Sequence, residues 1–243
     1  MLSYLKLFTL EDTLHYLNDY SRFFKKSTSS TVLLAVYVDN IILTGNDPVE
    51  ITSLKQFPDD QFKIKDLGLL NYFMGIEILY DAFKVLLHQK KFTSDLIFEF
   101  RCTDASAVVS PLELCVKLRS DQGEVLTNPL SYRRLIEKLN FLTHTRPYLC
   151  FAAQHLIQLL KSPRIPHMAV AMHILRYLNG TLGVWVFLNA SSDFSLHAFC
   201  DSDWVAYHES RKSVSGFCIS LGGSLIRWKS KKAGYCFFII SRS

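Results

Sequence analysis

The stretch TVLLAVYVDNIILT, from Thr31 to Thr44, carries the strongest fold signal in this 243-residue chain. Two β-branched and aromatic runs flank one polar pair, Asp39-Asn40, and the turn-forming string GNDP follows from residue 45. The pattern predicts a β-hairpin with Asp39 at its tip. A carboxylate there is suited to metal coordination or strong hydrogen bonding, although a turn aspartate bonded to its own backbone is the simpler alternative.

The composition is that of a globular chain. Hydrophobic residues make up 49% and charged residues 20%, with 10 Gly and 7 Pro, which excludes a disordered or fibrous protein. Lys and Arg exceed Asp and Glu by 27 to 22, so a polyanionic partner is permitted but not required. The 6 cysteines include no CxxC pair, and the first residues do not read as a secretory leader. We therefore expect reduced thiols in an intracellular protein, cytoplasmic or nuclear and not secreted.

No membrane partner is expected, because the most apolar run is short for a bilayer span and carries Asp39 in its middle. Beyond the first hairpin, the pattern predicts a short helix over Pro48–Phe57. It also predicts a strand pair over Tyr72–Leu79 and Phe83–His88, joined by residues 80–82.

The period becomes helical from about Ser131 to Leu178. We expect Ser131 to cap a first helix, and a third helix to begin near His167 and stop at Gly180. The predicted marks of the second helix are Phe151, His155 or Leu156, Leu159 and Leu160. Leu135, Leu139 and Leu142 are the predicted inward positions of the first helix. Strands are then predicted over four ranges: Gly183–Leu188, Phe194–Cys200, Val214–Leu221 and Ser224–Trp228.

Other residues have two interpretations each. The histidines are better explained by packing or surface positions than by zinc, because His167 and His173 are badly spaced for one helix face. Aromatics such as Phe92, Phe98 and Phe100 are more simply core. Basic strings can contact phosphates or form solvated faces, and the string after Trp228 has a stacking surface beside it. These strings are RFFKK from residue 22, Arg133-Arg134 and KSKK from residue 229.

Long strings of this chain resemble copia-type retrotransposon reverse transcriptases, in collinear order over nearly its whole length. YVDN at Tyr37 to Asn40, IILTGN, and FKIKDLGLLNYFMGIEI from Phe62 to Ile78 resemble the polymerase region, and YFMGIEI its primer-grip hairpin. YRRLIEKLNFLTHTRPYLCFAAQHL and RIPHMAVAMHILRYLNGT resemble the helical segment between polymerase and ribonuclease H. HAFCDSDW and RKSVSGFCISLGGSLIRWKSKK resemble the start of the ribonuclease H domain.

This resemblance implies an α+β fold with three regions. Residues 1–100 would form a partial polymerase palm of antiparallel hairpins and helices, including the primer-grip hairpin. Residues 101–180 would form the helical thumb and connection segment. Residues 181–243 would form an incomplete ribonuclease H-like sheet, with a foreign tail from about residue 233.

The resemblance also assigns the candidate site residues. In the family the first motif reads YVDD, and its Asp pair helps hold two catalytic Mg²⁺ ions. Here Asn40 offers a neutral amide oxygen in place of the second carboxylate, so we expect magnesium binding to be weak. The implied catalytic positions are Asp39, Asn40 and Asp201, with Asp39 and Asp201 as metal ligands. The implied nucleic-acid-binding residues are Tyr37, Met74, Gly75, Ile76 and Glu77.

Both ends of the chain depart from the family pattern. Few residues precede Asp39, and neither Asp12 nor Asp19 matches the family's upstream catalytic Asp. After Lys232 the family typically reads QATVSLSSAEAEY, whereas this chain reads AGYCFFIISRS. A single inserted base after Lys232 would convert one string into the other, so we expect a frameshift in the coding DNA there.

We therefore expect a fragment resembling an RNA-directed DNA polymerase with ribonuclease H, able to contact an RNA–DNA template–primer and catalytically defective. Two alternatives stay open. One is a non-catalytic module that binds RNA–DNA hybrid, and the other is a functionless pseudogene product. Salt-sensitive hybrid binding would favour the first of these.

Overall fold

The chain forms two compact units, Met1–Leu70 and Asn71–Ser243, in a computed structural model. Five α-helices and three antiparallel sheets in the described part of the chain confirm the predicted α+β class. The assignment of these units to palm, thumb or ribonuclease H stays a prediction. The structure describes residues 13–16, 19–26, 29–37, 40–62, 65–113, 118–190, 193–207 and 212–232.

Unit 1 contains a four-stranded antiparallel sheet with its strands in sequence order. The predicted hairpin is confirmed as β3 and β4, in which Tyr37 stands opposite Asn40. Phe23, Val32 and Leu34 are almost fully buried on one face, as the alternation of the strand sequence requires. The strands are β1 Thr13–Tyr16, β2 Asp19–Lys26, β3 Thr31–Tyr37 and β4 Asn40–Gly45.

Helix α1, Pro48–Phe62, follows β4 through a tightly bonded turn. The Asn46 Oδ1 atom accepts a hydrogen bond of 2.7 Å from the Thr31 backbone N–H. Asp47 Oδ1 accepts from the backbone N–H groups of Val49 and Glu50, each at 3.1 Å, and thereby caps the helix. The predicted end at Phe57 is wrong, because Pro58 removes one backbone donor without stopping this helix.

Unit 2 opens with a second four-stranded sheet. Its strands are β5 Tyr72–Phe73, β6 Ile76–Asp81, β7 Lys84–His88 and β8 Val186–Asn189, each antiparallel to the next. The prediction of one strand over Tyr72–Leu79 is wrong. Met74 and Gly75 have φ angles of 48° and 81°, so the chain reverses there in a two-residue turn. The next turn lies at residues 82–83 and not at 80–82.

Four helices form the core of unit 2. They are α2 Lys90–Glu99, α3 Pro129–Leu142, α4 Cys150–Ile157 and α5 Ile165–Asn179. The inward positions of α3 are confirmed, since Leu135, Leu139 and Leu142 are buried. Ser131 is not the cap of α3: the Asn128 side chain accepts from the Ser131 N–H instead. Helix α2 was not predicted, and Phe98 on it is 78% exposed, so its assignment to the core is wrong.

Buried polar side chains tie the helices together. The Tyr132 hydroxyl donates to the Leu156 carbonyl at 3.0 Å, and burial raises the pKa of this phenol, which keeps it protonated. Arg146 is fully buried and donates to the carbonyl oxygens of Thr181 and Leu182. His167 is buried and bonded within the fold, in agreement with its predicted packing role.

The third sheet has the strand order β11-β10-β9. Its strands are β9 Leu196–Tyr207, β10 Lys212–Leu221 and β11 Ser224–Lys232, which confirms that strands lie in the three predicted ranges. β10 and β11 are longer than predicted, whereas β9 begins at Leu196 and not at Phe194 and continues to Tyr207. Along the described residues, no helix is both long and apolar enough to cross a bilayer. The tail from residue 233 lies outside the described residues.

Candidate nucleic-acid interface

The tip of the β3–β4 hairpin holds two predicted site residues on its solvent face. Tyr37 is 49% exposed, and Asn40, directly opposite, is also exposed. Their neighbours Val36 and Ile41 pack onto the hydrophobic cluster of this unit, so strand alternation directs Tyr37 and Asn40 away from it. Asp39 lies outside the described residues. The hairpin therefore presents an aromatic ring and an amide side by side.

The Met74–Gly75 turn sits against helix α3. Met74 is 46% exposed. A Cβ atom on Gly75 would lie 3.1 Å from the Phe141 Cε1 atom, and the φ angle of 81° also favours glycine. Phe141 in turn meets Phe92 of α2 edge to face, with ring centroids 4.9 Å apart. Packing against two helices thus positions the turn and leaves the Met74 side chain accessible.

The other two predicted residues of this hairpin are more involved in the fold. Ile76 is half-buried and pairs with Phe73. Glu77 Oε2 accepts a hydrogen bond of 2.9 Å from the Lys91 N–H and lies 3.2 Å from His88 Nδ1. A carboxylate is stabilised at the positive N-terminal end of a helix, so Glu77 links the hairpin to α2.

Asp201 lies on β9 and is exposed. It stands opposite Gly216 on β10, which stands opposite Ser230 on β11. Directly opposite residues share a face of a sheet, so these three form one row across it. Asp201 and Asn40 belong to different units.

The described residues do not by themselves fit a two-magnesium site. No group of three or more His, Cys, Asp or Glu side chains gathers among them. Asn40 contributes an amide oxygen without charge, whereas Mg²⁺ is usually held through carboxylates. The predicted ligands Asp39 and Asp201 stay predictions, the first because it lies outside the described residues.

Several of the basic residues are used by the fold. Lys25 forms an ion pair of 2.9 Å with Glu50, and Arg134 forms one of 3.1 Å with Glu99. The Arg133 Nε–H donates to the Leu160 carbonyl. Lys229 and Lys231 on β11 are exposed, so this end of the third sheet offers cations for contact with phosphates.

One surface of unit 2 was not recognised from the sequence. A cavity of about 410 Å³ lies where the end of α3, helix α4 and strand β11 meet. Its lining includes Asn140, His144 and Trp228. In the sequence, the feature that points to this surface is Trp228 beside the basic string on β11. The residues of α3 could not be connected to it, because they lie far away in sequence.

Comparison with known proteins places this architecture in a family. A family profile described as "Reverse transcriptase (RNA-dependent DNA polymerase)" matches residues 8–114. The retrovirus-related Pol polyprotein from transposon RE1 of Arabidopsis thaliana is 34% identical over 215 residues, which is 88% of this chain and 15% of the relative. The corresponding polyprotein from tobacco transposon TNT 1-94 is 28% identical over 94% of this chain and 18% of its own length.

A third relative has a similar length to this chain. It is an uncharacterized mitochondrial protein of Arabidopsis thaliana, 32% identical over 200 residues, with 82% of each chain covered. No solved structure gives a significant match. These sequence matches define a polymerase-like fragment related to retrotransposon polyproteins. The chain belongs to the reverse transcriptases of copia-type retrotransposons.

Proposed function

We propose that this chain contacts the template–primer of a copia-type reverse transcriptase, and that its polymerase site holds magnesium too weakly for efficient catalysis. The observation that carries the proposal is the exposed tip of β3–β4, where the neutral side chain of Asn40 stands directly opposite Tyr37. The chain spans 15–16% of the length of its first polyprotein relatives, so polymerase and ribonuclease H activities are part of the proposal.

Nucleic-acid contact is supported by the side chains at the two hairpin turns. Tyr37 and Met74 are both large and about half exposed. An exposed aromatic ring can stack on a base or a sugar, and a flexible thioether can pack against either. The net charge of +5 favours association with a polyanion.

Weak magnesium binding is supported by the chemistry of residue 40. Phosphoryl transfer by two metals requires several carboxylates that converge on the ions. The Asn40 amide can orient a polar group or accept a hydrogen bond, but it cannot neutralise a divalent cation. In this proposal Asn40 and Tyr37 therefore orient the nucleic acid, and the polymerase site is catalytically defective.

The third sheet is proposed as the beginning of the ribonuclease H domain. Its three antiparallel strands carry Asp201 at the position that the family resemblance assigns to the first catalytic Asp. Asp201 is exposed on the edge strand, as a residue that reaches a nucleic-acid backbone must be. The support for this assignment is the resemblance of the sequence strings in β9, β10 and β11 to the start of the family's ribonuclease H domain.

Binding of a labelled RNA–DNA hybrid, measured by fluorescence anisotropy over a series of salt concentrations, tests the first part of the proposal. We expect the logarithm of the binding constant to fall linearly with the logarithm of salt, because bound phosphates release counterions. Tyr37→Ala and Met74→Ala should weaken binding, whereas Phe83→Ala should not, since Phe83 is exposed (79%) but lies at a different turn. Absent or salt-independent binding contradicts the proposal.

Thermal unfolding in increasing MgCl₂ tests the second part. Asn40→Asp adds a carboxylate to the hairpin tip, so it should increase the Mg²⁺-dependent rise in Tm, whereas Asn40→Ala should not. If the wild-type chain is stabilised by Mg²⁺ as strongly as Asn40→Asp, then residue 40 does not limit metal binding and this part is wrong.

A further inference from the structure

The cavity between α3, α4 and β11 has the size of a small-ligand site. Its volume is about 410 Å³, within the range that binding pockets for small molecules occupy. We call it the seam pocket. The lining residues on which the inference depends are Asn140, His144, Gln154, Trp228, Lys229 and Ser230.

Trp228 is held in a fixed orientation at the wall of the seam pocket. Its Nε1–H donates a hydrogen bond of 2.7 Å to the Thr143 carbonyl, at the C-terminal end of α3. This bond satisfies a carbonyl that the helix leaves unpaired, and it restricts rotation of the indole. A partly buried, immobilised indole is a surface on which a planar ring can stack.

His144 offers a second ring at the same cavity. Its Nδ1 atom lies 2.7 Å from the Phe141 carbonyl oxygen, so Nδ1 carries the proton in this contact. In the neutral ring Nε2 is then an acceptor. Asn140, one turn earlier on α3, is exposed and adds an amide. The end of α3 and the residues that follow it thus supply both a ring and polar groups that can hydrogen-bond to the edge of a nucleobase.

Ser230 provides an independent sign of a ligand. Its side chain is buried, with 8% exposure, and lines the seam pocket. Its Oγ atom has no hydrogen-bond partner within the described part of the chain. Buried hydroxyl groups nearly always have a partner, so a polar group that enters the pocket would satisfy it. Lys229, the preceding residue, is exposed and supplies positive charge at the rim.

A second cavity continues the seam pocket along α3. It has a volume of about 370 Å³, shares Asn140 and His144 with the seam pocket, and reaches Phe92 and Phe141. Phe141 is the residue against which the Met74–Gly75 turn is seated. The two cavities therefore adjoin along α3, and together we call them the groove. One carboxylate, from Glu137, also lines the second cavity, at a position outside the seam pocket lining.

We propose that the seam pocket binds one unpaired nucleotide of a single-stranded polynucleotide. The base stacks on Trp228 and His144, and a phosphate lies near Lys229 and the Ser230 hydroxyl. Stacking of this kind tolerates any sequence, because every base has a π face. The inference rests on the proposed function, which brings nucleic acid to this chain, and it adds a site for a single strand in the unit that does not contain the β3–β4 tip.

The experiment compares three labelled ligands by fluorescence anisotropy with the full chain. They are an oligothymidylate of about 15 nucleotides, an abasic oligonucleotide of the same length, and a blunt RNA–DNA hybrid. The variants are His144→Ala, Lys229→Gln and Ser230→Ala. Lys161→Gln is the matched control for Lys229→Gln, because Lys161 is exposed and lies outside the groove.

We expect His144→Ala to weaken oligothymidylate binding about tenfold, in line with the loss of one stacked base. Lys229→Gln should reduce the slope of the logarithm of the binding constant against the logarithm of salt by about one, which is one released counterion. Lys161→Gln should leave this slope unchanged. Ser230→Ala should weaken binding less than His144→Ala. Blunt hybrid should bind His144→Ala and Ser230→Ala as it binds the wild type, and the abasic oligonucleotide should bind the wild type more weakly than oligothymidylate.

Failure of the two proposals is distinguishable. If the wild type does not bind the hybrid, the proposed function is wrong. If hybrid binds but oligothymidylate does not, or binds His144→Ala unchanged, the seam pocket proposal alone is overturned. Equal losses of hybrid and single-strand binding in His144→Ala, or equal binding of the abasic oligonucleotide and oligothymidylate by the wild type, overturn it as well.

Discussion

The two hairpins that carry the predicted nucleic-acid-binding residues are stabilised by different means. The β3–β4 hairpin lies within a four-stranded sheet, and its buried face packs around Phe23 and Leu34. The β5–β6 pairing is much shorter and contains only two residue pairs. It depends on helices, through the close approach of Gly75 to Phe141 and the hydrogen bond from the Lys91 N–H to Glu77.

This difference shows what positions each turn. Strand register alone fixes Tyr37 opposite Asn40, because a shift of one residue would expose the apolar face of the sheet. Two residue pairs cannot hold a turn in water, so the position of Met74 depends on the helical core of unit 2. Changes deep in that core should therefore disturb the second hairpin and leave the first one intact.

The largest expected effect is a loss of stability in one of the two units. Leu135→Ala removes a fully buried side chain from the helical core, at an expected cost of about 2–5 kcal/mol in free energy of unfolding. Leu34→Ala should act on unit 1 instead. Urea unfolding followed by far-ultraviolet circular dichroism reports mainly on α2 to α5, so Leu135→Ala should lower the midpoint much more than Leu34→Ala. Equal shifts of the urea midpoint in the two variants would contradict a helical core that is stabilised separately from unit 1.

A smaller effect tests whether packing against Phe141 holds the Met74–Gly75 turn in place. Gly75→Ala and Gly223→Ala both place a side chain at positive φ, at about 1–2 kcal/mol each. A Cβ atom at residue 75 would also crowd Phe141, whereas one at residue 223 would meet its nearest atom at 3.5 Å, an ordinary contact. We expect Gly75→Ala to lower the Tm further. Equal Tm values would show that the turn does not depend on Phe141.

The link between Glu77 and helix α2 gives a more modest effect. Glu77→Ala removes the acceptor for the Lys91 N–H and should cost about 1 kcal/mol. Glu77→Gln keeps an acceptor and should cost less. Hydrogen exchange of the Lys91 amide, followed by nuclear magnetic resonance, should accelerate most in Glu77→Ala. Unchanged exchange together with weaker hybrid binding would instead assign Glu77 to nucleic-acid contact.

The smallest effect is a pH dependence in unit 1. The backbone hydrogen bond from Glu50 is the main cause that holds the pKa of the Asp47 carboxyl below its ordinary 3.8. The pKa of Asp47 is therefore lower in the folded chain than in the unfolded chain. Its contribution to the free energy of unfolding is complete above the unfolded-state pKa and is lost as pH falls through the folded-state pKa. Asp47→Asn cannot titrate, so its stability should fall less than that of the wild type in acid unfolding curves. If the acid unfolding curves of the wild type and Asp47→Asn are parallel, the Asp47 charge does not contribute to the pH dependence of stability.

Local patterns explain most of what the sequence predicted. Strand alternation around residues 31–45 and helical spacing at Leu135, Leu139 and Leu142 depend on neighbouring residues, and both are confirmed. The turn at Met74–Gly75 was missed because a non-glycine residue rarely adopts positive φ. The sequence predicts Ser131 as the N-cap of α3, but the Asn128 side chain, three residues earlier, is chemically as suitable and caps the helix in the structure.

Long-range features could not be predicted. Strand β8 completes the sheet of β7, although a whole helical core separates them in sequence. The seam pocket likewise combines Asn140 and His144 with Trp228. Periodicity predicts which face of an element is buried but not which other element covers it. Of the candidate site, the sequence pattern therefore predicted the β3–β4 hairpin, and the family resemblance alone pointed to residues 74–77, whereas the groove along α3 required the structure.

The central claim is that this chain contacts a template–primer without efficient metal-dependent synthesis. The most direct measurement is primer extension on an annealed RNA–DNA template–primer, with Mg²⁺ and nucleotides, by the purified chain and by Asp39→Asn. We expect equal background signal from both proteins, under conditions in which the wild type binds the hybrid. Extension by the wild type that Asp39→Asn abolishes would contradict the account.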